Sequence, residues 1–326
     1  MSFANIAAGM VVACSLGAAT AAVATPPDNA ADWLARVIKS ARELPYQGVF
    51  VHQTADSMAI SRITHRMEQG IEQEKIEALT GPPMEMVRRN DELICYQPAA
   101  KLARVERRAA GRFFPSLVTG DPKAIAELYR LRLGPVERIA GLDCQWLVLE
   151  PRDAMRYLQQ LCAEINTGLL LGARTVNERG LLTEQFLFTQ LDVTHPVSRE
   201  ATRSRYEQAV GWLREAPLAP QVANTDSRWI FGNLPAGFRK VMEMVRSLTG
   251  RSQPVTHFVY SDGLSNVSIF AEPAIGTERI SAFGASDDTP ATYAVRSIAD
   301  FHVTVLGEVP LTTVQTIADG ISRPLK

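Results

Sequence analysis

Gln145-Trp146-Leu147-Val148-Leu149-Glu150 and Glu184-Gln185-Phe186-Leu187-Phe188-Thr189-Gln190-Leu191 decide the fold. Successive side chains of a strand point to opposite faces. Trp146 and Val148 alternate with Leu147 and Leu149, and Phe186 and Phe188 with Leu187 and Leu191, so both faces are apolar. A sheet built from such strands must be covered twice. A helical layer supplies one cover, and the other is a second layer of sheet or a hydrophobic ligand cavity. Phe50, Met86, Trp146, Val148, Phe186 and Phe188 are the candidate cavity residues, with plain core packing as the alternative for each.

Upstream, Asp28 to Leu44 reads as an amphipathic helix with Leu34, Val37, Ile38, Ala41 and Leu44 on one stripe, Asp28 as cap and Pro45 as stop. Short strand segments follow at Tyr46 to His52, Ala59 to Arg66, Ile71 to Ala78, Met84 to Arg89, Leu93 to Tyr96 and Leu102 to Arg107. Their Gly, Pro, Asn and Asp turns predict an antiparallel meander. A helix is expected from Asp121-Pro122 through Ile125, Leu128 and Leu131 to Gly134. The strands Val136 to Ile139, Gln145 to Glu150, Leu169 to Asn177 and Leu182 to Val193 come next, the last two joined by the turn Asn177-Glu178-Arg179-Gly180. Residues 216–226, small and Pro-rich, read as a linker. Beyond it, strands are expected around Trp229, Thr256 to Tyr260, Val267 to Glu272, Ala291 to Ile298 and Phe301 to Leu306. Phe238 to Leu248 reads either as helix or as strand, and a final helix opens after Pro310 with Val314, Ile317, Ala318 and Ile321 inward. The fold class is therefore mainly β with α, in two domains, residues 25–215 and 227–326.

Met1 to Ala24 contains no Lys, Arg, Asp or Glu and runs apolar from Ile6 to Val23. It reads as an export signal cleaved after Ala22-Val23-Ala24. The apolar stretch before Cys14 is about half of what a lipoprotein signal core needs, so acylation there is not expected. Export removes ATP, NAD and reducing glutathione as partners, and no cofactor is expected. Of the 4 cysteines, Cys95, Cys144 and Cys162 remain after cleavage, enough for one internal disulfide. Cys95 and Cys144 are the expected pair.

The 326 residues are 46% hydrophobic and 21% charged with net charge −1, an ordinary globular composition that argues against bulk nucleic-acid binding. No Gly-x-Ser-x-Gly elbow, His-Glu-x-x-His, Cys-x-x-Cys, Walker loop or Gly-x-Gly-x-x-Gly occurs, and the 5 His are scattered without ligand spacing. Binding is thus expected rather than turnover. Arg88, Arg89, Arg104, Arg107 and Arg108 make a locally basic stretch, either a solvated strand face or a patch for an acidic partner or lipid phosphate.

Leu234-Pro235-Ala236-Gly237-Phe238, then Tyr260-Ser261-Asp262-Gly263, then Leu306-Gly307-Glu308-Val309-Pro310 resemble the C-terminal half of the RseB/MucB family, periplasmic regulators of the sigma-E anti-sigma factor. Gly81-Pro82-Pro83, Phe114-Pro115-Ser116-Leu117, Arg156-Tyr157 and Thr167-Gly168-Leu169-Leu170 are similar to its N-terminal half in the same order. The resemblance implies an N-terminal domain like the lipoprotein carrier LolA, an unclosed antiparallel β-barrel wrapped round helices with a hydrophobic cavity, and a smaller α+β C-terminal domain. It also implies a partner, the periplasmic part of an RseA/MucA-type anti-sigma factor, shielded from proteolysis until lipopolysaccharide or an acylated lipoprotein intervenes. Tyr260, Ser261, Asp262 and Gly263 are the candidate anti-sigma-binding segment. A homodimer is left open, and a lipid or lipoprotein carrier of the LolA type is the alternative reading. Expression in an exporting host should yield a chain beginning at Thr25, and intact mass checks it; a diacylglyceryl group on Cys14 would contradict it.

Overall fold

Asn29, one residue later than Asp28, caps the first helix, its side chain accepting from the Asp32 N–H at 3.0 Å. The computed structural model describes residues 27–107, 113–215, 229–246, 253–274, 279–285 and 291–323; the expected export signal, Arg108 and the expected linker at 216–226 lie outside them. Helix α1 (Ala30–Glu43) buries Trp33, Leu34, Val37 and Ala41. It stops because Leu44, preceding Pro45, takes extended backbone.

Six strands then run as a meander: β1 (Tyr46–Thr54), β2 (Met58–Glu68), β3 (Ile71–Ala78), β4 (Glu85–Arg89), β5 (Glu92–Gln97) and β6 (Leu102–Arg107). Asp121 caps α2 (Pro122–Leu128), which is shorter than the sequence suggests. Leu131 belongs instead to β7 (Tyr129–Ile139), because Tyr129-Arg130-Leu131-Arg132-Leu133 also alternates with period two and pairs with the next strand. That strand is β8 (Leu142–Pro151), followed by β9 (Leu158–Glu164), β10 (Leu170–Val176), β11 (Leu182–Asp192) and the short β12 (Leu213–Glu215).

These twelve strands form one sheet in the order β12-β6-β5-β4-β3-β2-β1-β11-β10-β9-β8-β7. The β1–β11 pairing joins the two meanders, and β12 and β7 remain as edges, so the sheet curls round its helices without closing. The registers pair Leu147 with Leu161, Leu161 with Ala173 and Ala173 with Phe186, which places all four on one face, with Phe50 and Phe188. Helix α1 covers this face through one core containing Trp33, Leu34, Tyr46, Phe50, Leu147, Leu161 and Phe188.

The second unit begins at Trp229, which is buried, and β13 (Ile230–Phe231). Its six-stranded sheet runs β14-β15-β16-β19-β18-β17, from β14 (Arg239–Arg246), β15 (Val255–Ser261), β16 (Asn266–Pro273), β17 (Ser281–Ala285), β18 (Thr292–Ile298) and β19 (Phe301–Gly307). Residues 239–246 are thus strand. Helix α3 (Leu311–Asp319) seats Val314, Ile317 and Ala318 on this sheet, and β20 (Ile321–Ser322) pairs with β13.

The disulfide joins Cys144 to Cys162, not Cys95 to Cys144, and among the described residues Cys95 is the free thiol. β5 and β8 are separated by seven strands in the sheet, whereas β8 and β9 are neighbours, and the Cα atoms of Cys144 and Cys162 stand 5.4 Å apart. The bridge spans 18 residues. Replacing Cys162 by Ser should lower stability by about 3 kcal/mol in denaturant titration through the loop-closure entropy restored to the unfolded chain. Cys95→Ser should leave stability near the wild-type value.

Candidate functional site

Arg156 sits in the loop between β8 and β9 with a fully buried side chain, and it turns toward the second unit. Its Nε donates to Asp262 Oδ2 at 2.7 Å, its other nitrogens donate to Asp153 and to the Ala236 carbonyl, and its guanidinium lies 5.1 Å from the centre of the Phe238 ring. The Asp262 side chain is equally buried. Tyr129 Oη also donates to Oδ2, at 3.2 Å, while Oδ1 accepts the backbone N–H groups of Leu264 and Ser265 at 2.9 and 2.7 Å. Burial, then the Asp262 charge, holds the Tyr129 phenol well above its ordinary pKa.

Around this ion pair the two units meet backbone to backbone. The N–H groups of Thr119 and Gly120 donate to the Gly263 carbonyl at 2.9 and 3.2 Å. Gly263 has φ +100°, and a Cβ there would stand 2.6 Å from the Gly120 Cα, so the contact requires glycine. Thr313 on α3 adds a hydrogen bond to the Met155 carbonyl at 2.9 Å.

Beside the seam lies a cavity of about 480 Å³ with walls from both units. The first sheet supplies Leu161, Thr175, Glu184 and Phe186, the segment before α2 supplies Leu117, and the second unit supplies Leu264, Ser268, Leu306 and Glu308. The lining is apolar except for hydroxyls, amides and two carboxyls. His52 Nε2 is 2.7 Å from Glu184 Oε1, and the imidazole stacks on Phe186 at 4.2 Å. Glu308 is exposed at the rim of the cavity. Desolvation of its carboxyl, and then the charge of Glu184 across the cavity, raise its pKa above the ordinary glutamate range.

The residues singled out in the sequence fall in several places. Phe186 lines the cavity. Phe50 and Phe188 pack behind it, in a cluster with Phe114 at ring separations of 4.9–6.3 Å. Met86 is partly buried against the same core. Trp146 and Val148 occupy the opposite face of the sheet, where the Arg174 guanidinium lies 4.4 Å from the Trp146 ring centre.

The arginines do not form one face. Arg88 is buried, 3.7 Å from Glu74 and stacked on Phe113; Arg89 points the other way into solvent; Arg104 pairs with Glu215 at 2.9 Å. The Arg107 side chain and Arg108 lie outside the described residues. Asp262 and Gly263 make the contact between the units, whereas Ser261 braces their turn through the Ser265 carbonyl and the Gly263 N–H, and Tyr260 packs in the second core against Phe231. Glu184, Glu308 and the Arg156–Asp262 pair went unread because each pair joins residues more than 100 positions apart. No group of three or more His, Cys, Asp or Glu able to hold a metal occurs among the described residues, and none of their helices is long and apolar enough to cross a membrane.

Comparison with known proteins matches residues 29–206 to the MucB/RseB N-terminal domain and residues 223–322 to the MucB/RseB C-terminal domain. The sigma factor AlgU regulatory protein MucB of Pseudomonas aeruginosa is 32% identical over 95% of both chains. The sigma-E factor regulatory protein RseB of Escherichia coli K12 is 24% identical over 92% of both. Among solved structures, the Pseudomonas aeruginosa MucA/MucB complex superposes with a TM-score of 0.72 at 29% identity, covering 91% of this chain and 99% of that one.

Asp262→Ala would leave the Arg156 guanidinium buried beside one remaining carboxylate. Denaturant titration should register a loss of about 3–5 kcal/mol. Tyr129→Phe, which removes one hydrogen bond and keeps the ion pair, should cost about 1 kcal/mol; equal losses would refute this ranking.

Proposed function

Since the chain belongs to the MucB/RseB family, we propose that it is an exported, periplasmic regulator. It binds the periplasmic region of a membrane-anchored anti-sigma factor of the MucA/RseA type and shields it from regulated proteolysis. The observation that carries this reading is the likeness, across both units, to MucB solved in complex with MucA(peri), with a TM-score of 0.72 over 91% of the chain. A protein that acts by occupying its partner needs a shaped surface and a way to be released, not a nucleophile or a metal. The linker at 216–226 divides the 25–215 domain from the 227–326 domain in this reading.

The release signal is an acyl-bearing ligand, lipopolysaccharide or a mislocalised lipoprotein, taken up in the hydrophobic interior bounded by Phe186, Leu161 and Leu306. A ligand shifts a partner equilibrium only by its differential affinity for the free and bound states, and the coupling is reciprocal. Titration calorimetry of the mature chain with the periplasmic segment of the anti-sigma factor tests both halves. Saturating lipid A should weaken the partner about 5- to 150-fold, and saturating partner should weaken lipid A by the same factor. Tight lipid binding with no affinity for the segment would leave a periplasmic lipid or lipoprotein carrier as the function.

A further inference from the structure

On the reading of the cavity as an acyl site, we propose that Phe186 is the stop that sets how long a chain the cavity admits. Two rows of side chains on the inner face of the first sheet line it. The register sets Gln159 opposite Thr175 and Thr175 opposite Glu184, which makes one polar row. Two residues along each strand, Leu161, Ala173 and Phe186 make the second row, which is apolar. One row further on the same face, Phe50 and Phe188 pair with each other and take no part in the lining. Between Phe186 and Phe188 the face thus passes from hollow to filled.

The filling comes from Phe114, which is buried, with its ring 5.4 Å from Phe50, 4.9 Å from Phe188 and 5.5 Å from Phe186. It lies nearly parallel to Phe186, with 7° between the planes, and the His52 imidazole also stacks on Phe186, at 4.2 Å and 4°. His52 is in turn tied to Glu184 at 2.7 Å. A ring with two parallel neighbours cannot turn aside without giving up both contacts. Beside it in the row stands Ala173, whose methyl leaves the space that a longer side chain would fill. Four residues of strand, about 13 Å, separate Glu184 from Phe188. A ligand whose polar end bonds to Gln159, Thr175 and Glu184 therefore lays its chain on Leu161 and Ala173, beneath Leu264 and Leu306 of the second unit, and ends against the Phe186 ring.

Titration calorimetry of the full mature chain with alkyl maltosides from hexyl to tetradecyl, each below its micellar concentration, reads the stop. In the wild type the affinity should rise about fourfold with each methylene that enters the cavity and then level off. Phe186→Ala should continue that rise, about fourfold per methylene, over chain lengths at which the wild type gains nothing. Ala173→Leu fills the space beside the ring and should level off earlier, which keeps the stop testable if Phe186→Ala folds poorly. Phe188→Ala takes an equal ring from the same aromatic cluster but touches no part of the lining, and its profile should match the wild type. The stop is overturned by a wild-type affinity that rises to the longest chain, by a plateau that neither Phe186→Ala nor Ala173→Leu moves, or by one that Phe188→Ala moves as far as Phe186→Ala. A wild-type chain that binds no maltoside of any length overturns the acyl reading itself, a result distinct from binding with an unmoved plateau.

Discussion

A buried guanidinium without a counter-charge is among the costliest defects a folded chain can carry, and Arg156 avoids it only by reaching out of its own domain. Its partners, Asp262 and the Ala236 carbonyl, belong to the second unit, and Asp153 alone is local. Asp262 in turn has both oxygens filled, two bonds coming from its own turn and two from the first domain. Such a fully satisfied node tolerates little displacement, so the two sheets hold a defined relation at this point. The glycine contact at Gly120 and Gly263 and the approach of α3 to Met155 are positioned by it. The cavity lies beside these contacts, with walls from both units.

The doubly apolar strands set a second condition. Helix α1 lies against one part of the inner face, and Phe50, Phe114 and Phe188 fill the middle. On β9, β10 and β11, Leu161, Ala173 and Phe186 also line space closed by the second unit instead of by helix. An apolar face left partly uncovered in this way is a place for an apolar ligand or for motion between the covering bodies. The family to which the chain belongs is one of regulators, for which both uses are apt.

Charge is arranged against this background with opposite effects at the two sites. At the node, positive and negative groups are matched and buried. At the cavity two acids, Glu184 and Glu308, share one lining, and Glu184 meets the His52 imidazole.

Local chemistry made much of the fold legible. The stripe of Trp33, Leu34, Val37 and Ala41, the cap at Asp121 and the alternation in β1 to β6 are properties of neighbouring residues, and the helices and meander follow from them. Where two periodicities overlap, as in Leu128-Tyr129-Arg130-Leu131, only the pairing of β7 with β8 decided for strand. The disulfide is of the same kind. Three cysteines allow a bridge, but strand order selects Cys144 and Cys162 by making β8 and β9 neighbours. The motifs Arg156-Tyr157 and Tyr260-Ser261-Asp262-Gly263 were visible as words, while their use on each other was not, because an ion pair across 106 residues leaves no periodic trace. The chain by itself determined most of the strands and helices and that both faces need cover, since those depend on residues a few positions apart. The tertiary structure decided what covers them and which charges meet, since those depend on distances that no local pattern encodes.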